Sequence, residues 1–285
     1  MTADPQPIGT FLWANGALTP ADSFTISILD RGLQYADGLF ETLRAQKGRV
    51  LFLSRHVERL VRSMACFRMG TEGLPDWDSV IPELLDANGL NRGIAAVKIV
   101  VTRGISEGLG LPASDAPSVM ITARPYRPPS EVSYSEGWRL AVCRDGFAPP
   151  LAMHKSLNYL FHLMARQHAL DQGADEAVIL DASGRVAETA AGSLLLNLEG
   201  TWCRPDSPYQ LPGVTIEAVC RELQSRGGHV ELRSIDVADL HRAESIYVLN
   251  SLMLVMPVRS VDGRDLSRPD PALAAFLRQR LLDGD

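Results

Sequence analysis

Short apolar stretches bounded by glycine turns alternate with segments of helical periodicity, and this mixture constrains the fold most. The stretch "DGLFETLRAQKGRVLFL" (37–53) predicts a hairpin that turns at Lys47-Gly48, and "EAVILDASGRVAET" (176–189) predicts another. Between them, "SRHVERLVRSMACFRM" (54–69) carries apolar residues at helical spacing, with Ser54 as its expected N-cap. Hairpins interleaved with helices predict a mixed α/β (α+β) chain, and they argue against a doubly wound parallel sheet.

The segment "RPYRPPSEVS" (124–133) is rich in proline, which neither donates to a sheet nor continues a helix. We expect it to link a smaller N-terminal α/β domain (1–123) to a larger C-terminal α/β domain (134–285). The 285 residues are enough for two domains of ordinary size.

The net charge and the apolar content argue against some classes of binding partner. The net charge of −6 argues against nucleic acid or an anionic membrane, and no apolar run is long enough to span a bilayer. The four cysteines are scattered without metal-ligand spacing, as expected of reduced cysteines in a cytoplasmic protein. The N-terminal residues lack the pattern of a signal peptide. A cytoplasmic protein with a small-molecule substrate and no bound metal is therefore expected.

Lys155, in "MHKSLNYL" (153–160), stands at the start of a predicted apolar helix, "SLNYLFHLMARQHALDQG" (156–173). Most lysines at such positions simply extend into solvent. Three other features favour a function: the strand carboxylate Glu188, the helix start "LPGVTI" (211–216), and the loop "LNSLM" (249–253). An amine, a carboxylate and two amide-rich turns are what pyridoxal phosphate requires of a protein. The histidines form no metal-binding pattern, so His162 and His168 are interpreted as partly exposed helix residues.

These motifs together resemble the class IV aminotransferase family, the fold-type IV pyridoxal-phosphate enzymes. The resemblance runs over nearly the whole chain through "DRGLQYADGLFETLR", "HVERL", "HKSLNYL", "GADEAVILDASGRVAET", "LPGVT" and "MPVRSVDG". It implies a homodimer of two-domain subunits that binds pyridoxal 5'-phosphate between the domains and near the dimer interface. It also implies a role for each cofactor residue: Lys155 forms the Schiff base, Glu188 pairs with the pyridine nitrogen, Arg59, Val214, Thr215 and Ser251 hold the phosphate, and Tyr159 faces the phenolate.

Within the family, the sequence most resembles 4-amino-4-deoxychorismate lyases, enzymes of folate biosynthesis that release 4-aminobenzoate and pyruvate. Thr42, in "LFETL", matches the threonine that those enzymes use as a proton donor, although it equally suits an ordinary strand position. "NSLMLVMPV" also resembles the lyase version of its loop. Gly108 departs from both the lyases and the D-amino-acid transaminases, which carry an arginine at this place.

Three alternatives stay open at the level of the sequence. The chain fits a class IV aminotransferase acting on branched-chain or D-amino acids, and it fits a non-catalytic homologue that only binds the cofactor. It also fits a cofactor-free protein with a chance pattern. Tyr35 and Arg103 are expected to contact the substrate, although Arg103, like Lys98, equally suits a solvated strand residue.

Overall fold

The computed structural model describes residues 9–114, 116–144 and 146–284. Residues 1–8 lie outside the described residues. They include the predicted start of the N-terminal domain and the stretch that lacks a signal-peptide pattern. The chain divides into two compact units. The first comprises the described residues up to Arg127 together with His154–Asn158, and the second comprises Pro128–Met153 and the described residues from Tyr159 onward.

The first unit is built on one antiparallel sheet. Its strands are β1 (Phe11–Ala14), β2 (Ala17–Pro20), β3 (Gly38–Gln46), β4 (Arg49–Val50), β5 (Ile94–Thr102) and β6 (Ser118–Pro125), in the order β2-β1-β6-β5-β3-β4. Its helices are α1 (Arg31–Tyr35), α2 (Leu53–Cys66) and α3 (Trp77–Ala87). Alternate residues of β3 and β5, among them Leu43 and Val97, point into a core that the apolar sides of α2 and α3 complete. The opposite face of the sheet carries Phe40, Thr42 and Lys98.

Helix α2 begins one residue earlier than the sequence predicts, and Ser54 is not its N-cap. Phe52 takes that position in a left-handed conformation (φ 55°) and makes no side-chain cap hydrogen bond. The return strand β4 is also shorter than expected, because the chain leaves it at Val50 to enter this turn. Burial of Phe52 and Leu51 therefore decides where the helix starts, and local capping preference does not.

The second unit contains a mixed sheet. Its strands are β7 (Trp138–Cys143), β8 (Glu176–Leu180), β9 (Val186–Thr189), β10 (Ser193–Leu198), β11 (Thr201–Pro205), β12 (Val230–Arg233), β13 (Ser245–Asn250), β14 (Leu254–Val261) and β15 (Arg264–Asp265). Their order is β12-β11-β10-β13-β14-β7-β8-β9, with β15 on β14, and the pairs β11–β12, β14–β7 and β7–β8 are parallel. Its helices are α4 (Glu131–Glu136), α5 (Leu160–Asp171), α6 (Val214–Ser225), α7 (Val237–Arg242) and α8 (Pro271–Asp283).

The helix predicted over 156–173 is shorter in the structure, and Lys155 precedes it in an extended segment. Helix α5 starts only at Leu160, and Ser156 forms an isolated bridge with Leu39 of β3. The N–H of Phe40 donates to the carbonyl of Lys155 at 2.8 Å, so this segment is extended along the edge of β3. The sequence also predicts one apolar face with Leu160, Phe161, Met164 and Ala165; of these, Leu160 and Met164 are exposed, whereas Ala165 is buried and Phe161 packs against the core. The buried residues of α5 are His162, Ala165 and Ala169.

The proline-rich segment 124–133 is partly regular. Strand β6 runs through Pro125, and α4 begins at Glu131 after Ser130, whose hydroxyl accepts from the N–H of Ser133. The boundary between the compact units, at Arg127 and Pro128, falls inside this segment. The domain ranges 1–123 and 134–285 stay a prediction, and the compact units differ from them in assigning 154–158 to the first unit. Among the described residues, no helix combines the length and the apolar character that crossing a membrane requires.

Candidate active site

Lys155 is positioned by its backbone, which the edge of β3 holds in place. Its Nζ lies 4.4 Å from the centroid of the Phe40 ring, a cation–π contact. Lys98, on β5, places its own Nζ 4.9 Å from the centroid of the same ring. Burial and then the nearby Arg124 lower the pKa of Lys98. Two amines therefore share the environment of Phe40.

Thr42 lies on the same face of β3 as Phe40, two residues along the strand. It is half-buried and directly opposite Lys98 in the register of β3 and β5. In the next row of this face, Arg44 on β3 and Arg124 on β6 flank one residue of β5. The face of the sheet that carries Thr42 is thus lined with positive charge, which favours an anionic substrate.

Arg59 is buried on α2 and held by two other buried residues. Its Nε donates to Glu41 Oε1 at 2.8 Å and its Nη2 donates to Glu41 Oε2 at 2.6 Å, a bidentate pair. His56, one turn earlier on α2, donates from Nδ1 to Glu41 Oε2 at 2.7 Å. Burial raises the pKa of Glu41, but the hydrogen bond from His56 and the charge of Arg59 together outweigh burial and lower it to about 2. Burial lowers the pKa of His56, which leaves the imidazole neutral near pH 7.

In the second unit, Glu188 is buried on β9 opposite Ile179 of β8. Its Oε2 accepts the backbone N–H of Leu211 at 3.1 Å, and its Oε1 lies 3.2 Å from His162 Nε2. The His162 ring stacks on Tyr159 with 4.6 Å between centroids and an interplanar angle of 7°. Tyr159 donates its hydroxyl to the carbonyl of Ala190 at 2.8 Å, and burial followed by the charge of Glu188 raises the pKa of its phenol.

The start of α6 presents backbone amides of the kind that bind anions at helix N-termini. Gly213 is the N-cap of α6 and makes no side-chain cap hydrogen bond. The first amides of the helix, which include those of Val214 and Thr215, are therefore not bound by a side chain of the N-cap residue. A Cβ on Gly213 would lie 2.4 Å from Ser193 Oγ, so only glycine allows this close approach. Ser251 lies in the turn after β13, which Asn250 fixes by accepting from the N–H groups of the two residues after Ser251.

Arg103 is fully buried, and its guanidinium is occupied by protein atoms. It pairs with Asp37 through Nε at 2.7 Å and Nη2 at 3.1 Å, and its remaining N–H groups donate to the carbonyls of Phe67, Arg68 and Pro112. All five donors are therefore engaged, and this geometry gives Arg103 a structural role and does not support the expectation that it contacts substrate. Tyr35 is exposed on α1, with the Arg31 guanidinium 5.0 Å from its ring centroid.

The structure adds three residues that sequence reasoning missed. Glu41 and His56 orient Arg59, and His162 contacts Glu188. Interpreting His162 as a partly exposed helix residue is wrong, because its side chain is buried. Its position among small residues of α5, at a spacing of three from Ala165, was the available signal that it faces inward. Among the described residues, no group of acidic, histidine or cysteine side chains could hold a metal ion.

Comparison with known proteins gives consistent similarities. Residues 38–261 match the family described as amino-transferase class IV. A protein of Methanocaldococcus jannaschii, provisionally named branched-chain-amino-acid aminotransferase, is 30% identical over 263 residues, which cover 89% of this chain and 88% of that protein. The aminodeoxychorismate lyase of Vibrio harveyi is 28% identical over 262 residues, which cover 88% of this chain and 91% of the lyase.

The structural similarity extends over almost the entire chain. The branched-chain aminotransferase of Thermoproteus uzoniensis, solved with norvaline, superimposes with a TM-score of 0.87 at 25% identity. The match covers 97% of this chain and 96% of that structure. It confirms the predicted mixed α/β fold, and the family match confirms the resemblance drawn from the sequence motifs.

Proposed function

The chain belongs to the class IV aminotransferase family, and on that premise we propose that it is a 4-amino-4-deoxychorismate lyase. Such an enzyme converts aminodeoxychorismate to 4-aminobenzoate and pyruvate in folate biosynthesis. The family itself makes the chain a pyridoxal-phosphate-dependent enzyme with a small-molecule substrate, which confirms the predicted cofactor. The choice of lyase over aminotransferase is the proposal.

The residues present fit pyridoxal 5'-phosphate. A lysine amine and a buried carboxylate supply the groups that its aldehyde and its pyridine nitrogen need. Two groups are proposed to bind the phosphate. One is the guanidinium of Arg59, which is buried and fixed by Glu41, and the other is the set of amides at the start of α6. Ser251 is proposed as a further phosphate contact, and Tyr159 as the residue beside the phenolate. When bound, the cofactor supplies a ring that accepts electrons from the carbon bearing the substrate amine.

The roles proposed for the chain's own residues are proton transfers. Lys155 would hold the cofactor covalently, and its free amine is proposed to remove the proton from the carbon that carries the substrate nitrogen. The bond between the neighbouring ring carbon and the enolpyruvyl oxygen breaks, and with a proton on that oxygen the group leaves as enolpyruvate, which converts to pyruvate. Thr42 is proposed to deliver this proton. Loss of the leaving group makes the ring aromatic, so the step needs no keto acid.

The placement of Thr42 carries the proposal. Its side chain shares a sheet face with Phe40, over which Lys155 extends, and it stands opposite Lys98 in a positively charged row. Aminodeoxychorismate carries two carboxylates, one of them on the leaving group. A hydroxyl beside a lysine suits a leaving group that is anionic and must be protonated.

A product assay tests the proposal. With aminodeoxychorismate as the sole substrate, the purified enzyme should release pyruvate and 4-aminobenzoate in equal amounts. Thr42→Val should lower this rate by about a hundredfold or more, the usual contribution of a positioned acid, without changing the cofactor spectrum. Thr122→Val is the matched control, because Thr122 flanks Lys98 from the other side on β6. Thr42→Ser should retain most of the activity.

The alternative is a class IV aminotransferase for branched-chain or D-amino acids. It is favoured by Tyr159, which stands where branched-chain enzymes place a tyrosine, and by the names of several relatives. Amino transfer from such an amino acid to 2-oxoglutarate, with no pyruvate formed from aminodeoxychorismate, would replace the lyase proposal. A non-catalytic homologue would bind the cofactor and catalyse neither reaction.

We also propose that the protein works as a cytoplasmic homodimer. The support is a group of exposed apolar side chains around α1, here called the α1 patch: Ile28, Leu29, Leu33 and Ile105. A bridge between Asp30 and Ile105 brings these residues together. Such a cluster on one surface is typical of an interface.

A further inference from the structure

None of the roles proposed above explains why an imidazole is buried at position 162. Its Nε2 contacts Glu188, while its Nδ1 is buried and has no hydrogen-bond partner among the described residues. A buried polar atom without a partner is costly, and an apolar side chain would avoid that cost. The contact through Nε2 is therefore the feature that accounts for a histidine at this position.

The direction of that hydrogen bond follows from chemistry. An ionised carboxylate can only accept, so Nε2 carries the proton and donates it to Glu188 Oε1. Glu188 Oε2 is held separately by the backbone N–H of Leu211. The two oxygens are thus fixed by one donor each, and each keeps lone-pair capacity for another donor.

The charge of His162 also acts on a second buried carboxylate, but its hydrogen bond is to Glu188. This second carboxylate, Glu176, accepts from Arg166 at 3.1 Å and from the N–H of Ala177 at 2.9 Å. The ring of His162 is itself fixed from two sides, stacked on Tyr159 and set edge-on against Phe161 with 5.7 Å between centroids. Its Nε2–H is therefore held toward Glu188 by packing before any ligand arrives.

We propose that His162 is a positioning residue for the cofactor: its Nε2–H fixes the orientation of the Glu188 carboxylate that pairs with the pyridine nitrogen. The inference rests on the proposed role of Glu188 and is independent of whether the enzyme is a lyase or an aminotransferase. Without this donor the carboxylate is held only by the N–H of Leu211 and can turn away from the ring nitrogen, which then loses the anion that stabilises its protonated form. The ring nitrogen would then be less often protonated, and the cofactor would accept electrons less readily.

The test compares two substitutions that separate the donor from the ring. His162→Phe keeps an aromatic ring against Tyr159 but removes the N–H, whereas His162→Gln keeps an N–H donor without the ring. Holoenzyme reconstituted with pyridoxal phosphate carrying ¹⁵N in the ring reports protonation of that nitrogen directly. We expect the ¹⁵N signal of His162→Phe to move toward the unprotonated position and kcat to fall about tenfold with little change in KM. His162→Gln should restore most of the wild-type ¹⁵N signal and most of kcat. His168→Phe, on the same helix, should resemble wild type.

Glu188→Gln separates the failure of this inference from failure of the underlying role. If Glu188→Gln moves the ¹⁵N signal and His162→Phe does not, His162 is structural and only this inference falls. If neither variant moves the signal, Glu188 does not pair with the ring nitrogen, and both proposals are overturned. If His162→Phe does not fold, His162→Gln decides: a wild-type signal supports the donor role, and a signal like that of Glu188→Gln overturns it.

Discussion

At the scale of residues, the side-chain amines of two lysines contact one phenylalanine ring. The sequence contains only three lysines, Lys47, Lys98 and Lys155, and two of them extend over Phe40. Lys98 reaches the ring from β5, and Lys155 reaches it from the segment beside β3. On the basis of its motif we propose the covalent role for Lys155, and a contact with a substrate carboxylate for Lys98.

Borohydride reduction tests this division of roles. The purified protein should absorb near the visible range, and reduction should fix the cofactor to the peptide that contains Lys155. Lys98→Met should leave that labelling intact while raising the KM for an anionic substrate, because it removes only a binding charge. Labelling of the Lys98 peptide would reverse the two assignments.

The buried carboxylate of Glu41 has a measurable effect on acid stability. Its pKa is lowered from 4.5 to about 2 in the folded protein, so it stabilises the fold above pH 4.5 and loses that contribution as pH falls toward 2. The slope is about 1.4 kcal/mol per pH unit for one proton. We expect the gap in free energy of unfolding between wild type and Glu41→Gln to shrink over this range. Glu58→Gln, a change at an exposed glutamate of α2, should show no such trend.

At the scale of elements, the start of α6 depends on the absence of a side chain at Gly213. Its φ of −73° suits any residue, so the requirement comes from packing and not from backbone conformation. Ser193 Oγ at 2.4 Å and Ile216 Cγ2 at 3.0 Å would both meet an added Cβ. The first amides of the helix would then shift away from their present direction.

Gly213→Ala should therefore weaken cofactor binding several-fold, because helix N-terminal amides bind a phosphate only when they point at it. Titration of the apoenzyme with pyridoxal phosphate measures this effect. Gly93→Ala is the matched control, since an added Cβ there meets no atom within 4 Å among the described residues. Equal affinities for the two variants would remove the start of α6 from the phosphate site.

At the scale of the whole molecule, the α1 patch predicts self-association. Leu33 is 55% exposed on α1, beside the other apolar side chains of the patch. Leu33→Glu should shift the mass measured by light scattering from dimer toward monomer, because a charge buried in an interface is costly. Leu232→Glu, at an equally exposed leucine on β12, should leave the mass unchanged. A monomeric wild-type protein would overturn the dimer proposal.

The sequence by itself determined the mixed α/β class, the family and the cofactor. These depend on local patterns: glycine turns between short apolar runs, and motifs in which each residue has a chemical role of its own. The hairpin of β3 and β4 and the strand position of Glu188 were predictable for this reason, since alternation and turn residues act over a few positions.

Only the tertiary structure decided which side chains are paired. The predicted helix loses its first residues, 156–159, because backbone hydrogen bonds to β3, over 100 residues earlier in the chain, outweigh local helix propensity. Arg103 is engaged by the carbonyls of Phe67, Arg68 and Pro112, and His162 reaches Glu188 from another element. Hydrogen-bond partners are properties of contacts between distant segments, so no local pattern in the sequence could have specified them.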